Sequence, residues 1–179
     1  RAFSVLLFHG GYELLVQKRS DDKITFPSVW ANTCCSHPLD IPGENEDAVS
    51  GVINAAKRKL HQELGIPLQQ LEQIDFQHIG RFQYECRWDS IWVENEVDHV
   101  IVAYVNKEEI QIDPNPNEIS EARWLNVGEV WDMISGKGIW KDELVAPWFK
   151  LLYNEFLVEF LPELPLPRDD VVHFGEVDM

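Results

Sequence analysis

Two short stretches carry the side chains best suited to chemistry: Asn32-Thr33-Cys34-Cys35-Ser36-His37-Pro38 and Val93-Glu94-Asn95-Glu96-Val97. In an extended strand alternate side chains share a face, so Cys35 and His37 point one way together, and Glu94 and Glu96 do the same. Two carboxylates held side by side repel each other unless water or a cation intervenes. If the two strands are near neighbours, a thiol, an imidazole and two carboxylates converge on one spot. Imidazole with carboxylates is a ligand set for Mg, Mn or Zn. Taken singly, each signal is ordinary. A cysteine in a strand usually packs in a core, a histidine before proline usually sits in a turn, and Glu-x-Glu is usually the wet face of a sheet. Only their joint occurrence argues for a site.

A second group is basic. Arg19 and Lys23 flank Asp21-Asp22, and Lys57-Arg58-Lys59 lies in a helical stretch. Lys59 and Glu63 are spaced for an i, i+4 ion pair, worth a few tenths of a kcal/mol. The same cations could equally clamp a phosphate. Arg58-Lys59-Leu60-His61-Gln62-Glu63-Leu64-Gly65-Ile66 resembles a Nudix box in which Arg58, Glu63, Gly65 and Ile66 match. Lys59 and Gln62 replace two glutamates of that box, and Ser50 stands where another acid is expected. A hydrolase of this class uses the acidic cluster to hold the ions that activate water. With Glu63 alone left, that hydrolysis is disfavoured.

The elements that must position these residues read as follows. Ala2 to Phe8 and Glu13 to Lys18 flank His9-Gly10-Gly11-Tyr12 as a hairpin. Ile24 to His37 reads as extended, broken by Pro27, and a loop follows from Pro38 to Asn45. Residues 46–64 read as a helix stopped by Gly65 and Pro67. Phe76 to Cys86 and Val93 to Val105 read as strands, Pro114 to Asn117 as a loop, and Ala122 to Leu125 as a short strand. Helices are expected over 127–135 and 143–161, and an irregular tail over 162–179. Strands with one long central helix and a helical C-terminal part predict a single α/β domain over 1–179, a mixed sheet in a layered α+β arrangement.

Of 179 residues, 15 are Lys or Arg and 31 are Asp or Glu, for a net charge of −16. A general nucleic-acid binder needs the opposite balance. No apolar run approaches the ~20 residues that span a bilayer. An anionic small molecule would need local cations or a divalent metal to overcome the field. The three cysteines, two of them adjacent, argue against a disulfide framework and for a reducing compartment.

The chain resembles the type I isopentenyl-diphosphate isomerases, a non-hydrolytic branch of the Nudix fold. Four stretches carry the resemblance: Gln17-Lys18-Arg19-Ser20 with Lys23, Asn32 to Pro38, Glu63-Leu64-Gly65-Ile66, and Val93 to Val97. It implies conversion of isopentenyl to dimethylallyl diphosphate. An alkene is protonated to a tertiary carbocation and another carbon then loses a proton, in a pocket that excludes water. By matching position Cys35 and Glu96 are the acid–base pair, Tyr84 helps deliver the proton beside Glu96, and Trp148 lends its π face to the cation. The resemblance implies that His37, Glu94 and Glu96 hold a tightly bound divalent metal (Mg²⁺, Mn²⁺ or Zn²⁺). Glu63 would help place a Mg²⁺ on the diphosphate. Arg19, Lys23, Ser36 and Lys59 would contact its oxygens. Two further histidine ligands and a diphosphate-binding lysine are expected from a segment preceding Arg1. The expected partner is a small allylic or homoallylic diphosphate, with no nucleic acid or membrane. A monomer is favoured, in the cytoplasm or another reducing compartment, peroxisome and plastid included. The competing readings are a Nudix-type diphosphate hydrolase and a diphosphate-binding module without turnover.

Overall fold

Ala2-Phe3-Ser4-Val5-Leu6-Leu7-Phe8 is apolar at almost every position, the pattern of a strand covered on both faces. A computed structural model describes residues 1–10, 12–45 and 49–157 and the strand backbone of 171–177. In it this run forms β1 (Ala2–His9), inside a mixed sheet. The other strands are β2 (Glu13–Arg19), β3 (Trp30–Ala31), β4 (Cys34–Ser36), β5 (Phe76–Arg87), β6 (Val93–Val105), β7 (Ile119–Asn126) and β8 (Val171–Val177). Their order is β3-β2-β1-β6-β5-β8, with β4 added on β1 and β7 on β2. Three registers matter for function. β4 runs antiparallel to β1 with Cys35 opposite Ser4. β6 runs parallel to β1 with Asp98 opposite Ala2. β5 runs antiparallel to β6 with Tyr84 opposite Glu96.

Alternation along the strands divides the core into two layers. Phe3, Val5 and Leu7 of β1 and Ile101 and Ala103 of β6 face α1 (Ser50–Leu64), which buries Val52, Ala56, Leu60 and Leu64 against them. Leu6 and Phe8 with Val100 and Val102 face the opposite way. They meet Phe149 and Leu152 of a short C-terminal helix, together with Trp30 and Phe156. α2 (Leu68–Leu71) and α3 (Val127–Ile134) complete the connections, and that C-terminal helix is α4 (Pro147–Leu152), continued by a π-turn over Tyr153–Leu157. The layered, mixed-sheet α/β domain expected from the pattern is the one found. No helix among the described residues is long and apolar enough to cross a membrane.

Four expectations differ in detail. Of the stretch 24–37 read as extended, 24–28 bends and turns, with Phe26 and Ser28 at positive φ, and strand forms only over Trp30–Ala31 and Cys34–Ser36. The helix anticipated over 46–64 is described from Ser50, residues 46–48 lying outside the described part. The helix anticipated over 143–161 is shorter at its start. The Trp30 amide donates to the Leu144 carbonyl at 2.8 Å and the Ala146 amide donates back to Trp30 at 2.8 Å, so this chain is held extended. Helix then begins at Pro147, whose missing N–H costs nothing in a first turn; residues 158–161 lie outside the described part. Of the tail taken as irregular, Val171–Val177 is a strand parallel to β5, and 162–170 and 178–179 lie outside the described residues.

Candidate active site

Eleven of the residues singled out from the sequence border one cavity of about 190 Å³: Arg19, Lys23, Cys35, Ser36, His37, Lys59, Glu63, Tyr84, Glu94, Glu96 and Trp148; Lys57 and Arg58 do not line it and pair with Glu72 and Glu44. Sheet order explains the gathering. β1 intervenes between the strand bearing Cys35 and the strand bearing Glu96, so the two are two interstrand spacings apart, about 10 Å. That leaves a gap with a thiol on one wall and a carboxylate on the other.

On the first wall, Cys35 is held from several sides. Its thiol donates to Asn32 Oδ1 at 2.9 Å, and the Trp148 indole N–H donates to its sulfur at 3.1 Å. Ser4 Oγ lies 3.5 Å from the sulfur. Asn32 is itself fixed, because its amide donates to the Val5 and Cys34 carbonyls at 3.1 and 3.2 Å. Ser4 donates its own hydroxyl proton to Asp98 at 2.7 Å. Asp98 is buried, and its second oxygen has no partner among the described residues. Burial, with the Asp98 carboxylate close by, pushes the Cys35 thiol up to about 12, against smaller opposing effects of Ser4, Arg19 and Asn32. Cys35 therefore stands in this site as a neutral thiol. Cys34 points to the other layer, where it is fully buried and its thiol donates to Glu63 at 3.6 Å.

On the second wall, the Tyr84 hydroxyl donates to Glu96 at 3.2 Å and lies 3.5 Å from Glu94. Burial, with the Glu96 charge added, holds the Tyr84 phenol well above its ordinary value, so it stays a donor. Glu94 accepts from Thr25 Oγ1 at 2.8 Å, and burial and the Glu96 charge outweigh that bond to raise its carboxyl. The His37 imidazole pairs directly with Glu96, and that hydrogen bond raises the ring's basicity. Among the described residues no three His, Cys, Asp or Glu side chains are drawn together as a ready metal shell. His37 and Glu96 satisfy each other, and Glu94 leans toward Thr25.

The cations collect at one end. Arg19 Nε and Nη2 donate to the Phe26 and Thr25 carbonyls, each at 2.9 Å, and its guanidinium lies 5.7 Å from the Trp148 ring centre. Phe26 anchors this loop: it is fully buried, meets Trp148 edge-on at 5.1 Å, and takes φ +48°, with Ser28 at φ +58°. Two non-glycine residues in the left-handed region mark a loop held by its surroundings. Lys59 pairs with Glu63 at 2.9 Å. Burial alone would lower the Lys59 ammonium, but Glu63 and Glu118 outweigh it and keep the group charged. Lys23 pairs with Glu118.

Ser4, Thr25, Asp98 and Glu118 also belong to this constellation, outside the motifs that mark it in the sequence. Asp98 continues the Glu94, Glu96 alternation and so was open to discovery. Ser4 needed the β1–β4 register, and Glu118 lies just before β7, where no period marks it.

The NUDIX domain family matches residues 1–149. An isopentenyl-diphosphate delta-isomerase of Gibberella zeae is 38% identical over 99% of this chain and 69% of that protein. The isopentenyl-diphosphate Delta-isomerase 1 of Bos taurus is 40% identical over 92% of this chain and 71% of its own. A chloroplastic isopentenyl-diphosphate Delta-isomerase of Arabidopsis thaliana is 42% identical, this chain spanning 55% of its length. Among solved structures, a Deinococcus radiodurans protein superposes with a TM-score of 0.62 at 16% identity, over 86% of this chain and 80% of that one. A NUDIX hydrolase from Alicyclobacillus acidocaldarius gives 0.58 at 12% identity, over 88% and 90%. The structural likenesses speak to the fold alone.

Proposed function

Because the chain belongs to the isopentenyl-diphosphate delta-isomerases of the NUDIX domain family, we propose that it converts isopentenyl diphosphate to dimethylallyl diphosphate. The observation that carries this reading is the pairing of two proton-carrying walls across one cavity. The Cys35 thiol stands on one and the Tyr84–Glu96 pair on the other, with Trp148 reaching between them and cations at one end.

The reaction needs a proton delivered to the terminal alkene carbon and another removed from the carbon on the far side of the tertiary centre. Walls on opposite sides of a flat intermediate perform both without moving the substrate. Whichever wall gives the proton in one direction receives it in the reverse, so each turnover leaves a proton displaced from wall to wall, to be restored through solvent. Trp148 contributes a polarisable ring beside the cation, a contact worth roughly 0.5–2 kcal/mol. Its N–H keeps that ring in place against the Cys35 sulfur. The buried rings of Tyr84 and Trp148 in the lining, with Phe26 packed behind Trp148, exclude water from a species that water would quench.

Arg19, Lys23, Ser36 and Lys59 would bind the diphosphate oxygens. The donor chemistry also fits divalent ions. Glu94 and Glu96 are like charges on one strand face, and Glu94 is raised by burial and by its neighbour. His37, Glu94 and Glu96 would hold one divalent ion, Mg²⁺, Mn²⁺ or Zn²⁺, and Glu63 would help place a Mg²⁺ on the diphosphate. Such ions supply positive charge where the chain has too little. Lysine at position 59, where a hydrolase box has glutamate, favours a phosphate clamp over water activation.

A turnover assay on Cys35→Ala tests the reading. Loss of isomerisation by roughly 10²-fold or more, with the fold and inorganic diphosphate binding retained, is expected. An unchanged rate would sink it.

A further inference from the structure

Lys23 and Lys59 reach the cavity from different elements, one from the loop after β2 and one from α1, yet a single carboxylate joins them. Glu118 Oε2 pairs with Lys23 Nζ, and Glu118 Oε1 lies 3.7 Å from Lys59 Nζ. Lys59 continues to Glu63 at 2.9 Å, so charge alternates along Lys23, Glu118, Lys59 and Glu63. The backbone repeats the link, since the Glu118 carbonyl accepts from the Ser20 amide at 3.0 Å and fixes the loop that carries Lys23. Lys23 and Lys59 border the cavity, whereas Glu118 is not among the described residues that line it. Lys23, Lys59 and Arg19 outweigh the burial that would raise the Glu118 carboxyl, and together they hold it below the ordinary range.

We infer that Glu118 is a positioning residue that sets the spacing of two ammonium groups for a diphosphate without touching it. Lysine side chains are flexible point charges that lose rotamer freedom when fixed. Two of them aimed at one anion also repel each other. A carboxylate behind both removes the repulsion and prepays part of the ordering, so the ligand meets a pocket already arranged. The inference rests on the clamp reading of Lys23 and Lys59, and its test is kept separate from turnover.

Binding of inorganic diphosphate with Mg²⁺ is measured by calorimetry for wild type, Glu118→Gln, Glu118→Asp, Lys23→Met and the double variant Glu118→Gln/Lys23→Met, each checked for folding by its melting curve. Glu118→Gln is expected to weaken binding about tenfold, Glu118→Asp to recover most of it, and Glu118→Gln to add less than about twofold on Lys23→Met. In isomerase assays the loss appears in KM, with kcat within about twofold. A purely structural role would lower the melting temperature and leave the affinity of the folded fraction unchanged. Unchanged or tighter diphosphate binding in Glu118→Gln overturns the inference, tighter binding meaning that Glu118 competes with the ligand. Should Glu118→Gln not fold, Glu118→Ala takes its place in the same cycle, and additivity of Glu118→Ala with Lys23→Met overturns it equally. A wild type that binds diphosphate but does not isomerise would overturn the functional reading and leave this result to stand alone.

Discussion

The Trp148 indole N–H donates to the sulfur of Cys35 at 3.1 Å, across 113 positions of sequence. α4 thereby reaches over the cavity to the middle residue of a short strand. The same ring stands against Arg19 on one side and Phe26 on another. One side chain therefore joins the thiol, the cationic end and the apolar lining.

Replacing Trp148 by Phe keeps an aromatic face and removes that N–H. A hydrogen bond of this kind contributes about 0.5–1.5 kcal/mol, so kcat should fall roughly three- to tenfold with KM little changed. Trp148→Leu also loses the cation–π contact and should fall further. Steady-state kinetics on the two variants check the order; equal rates in both would contradict it.

Metal dependence has a readout apart from turnover. Removing divalent ions with a chelator should lower the melting temperature as well as the activity, and Mg²⁺, Mn²⁺ or Zn²⁺ should restore both. A ligand at a hundred times its Kd stabilises by about 2.7 kcal/mol. In Glu94→Gln/Glu96→Gln the metal-induced shift should largely vanish. A full shift in that variant would place the ion elsewhere.

Acid sensitivity should trace to His99. Its Nδ1 lies 3.0 Å from His78 Nε2, and burial, with the charges of His78 and Arg81, holds its pKa down to about 4. The unfolded chain takes up this proton near pH 6.5, the folded chain only near 4. The contribution of His99 to stability is thus complete above pH 6.5 and is lost as pH falls toward 4. Unfolding free energies compared at pH 7 and 4.5 should drop less in His99→Gln than in wild type, by on the order of 1–2 kcal/mol once solvent screening is allowed for. Parallel drops would contradict the assignment.

How much of this was legible beforehand varies residue by residue. The period of two put Cys35 beside His37 and Glu94 beside Glu96, and the i, i+4 spacing joined Lys59 to Glu63, because both rules are local. Tyr84 opposite Glu96 required the β5–β6 register, which local pattern does not set. Asp98 lay on a readable face, but its bond to Ser4 depends on β1 and β6 running side by side. Glu118 lies outside any period, so nothing local marked it. The start of the long C-terminal helix is not legible, because the apolar spacing of residues 143–146 suits a helix and equally the extended segment bridged to Trp30 that forms.

Gly65 offers a test of the helix that carries Lys59 and Glu63. It closes α1 at φ +64°, and a Cβ there would lie 2.3 Å from the Asp113 carbonyl oxygen. Gly65→Ala should cost at least about 2 kcal/mol, from left-handed strain and the backbone clash together. Denaturant unfolding measures it; a loss under about 0.5 kcal/mol would contradict the tight approach.

The central claim is proton exchange across two walls, and it is tested most directly in D₂O. The protein is incubated with isopentenyl diphosphate and Mg²⁺, and the products are read by NMR and mass spectrometry. Dimethylallyl diphosphate carrying deuterium, with no phosphate released, is the predicted result. Release of inorganic phosphate, or recovery of isopentenyl diphosphate without deuterium, would contradict it.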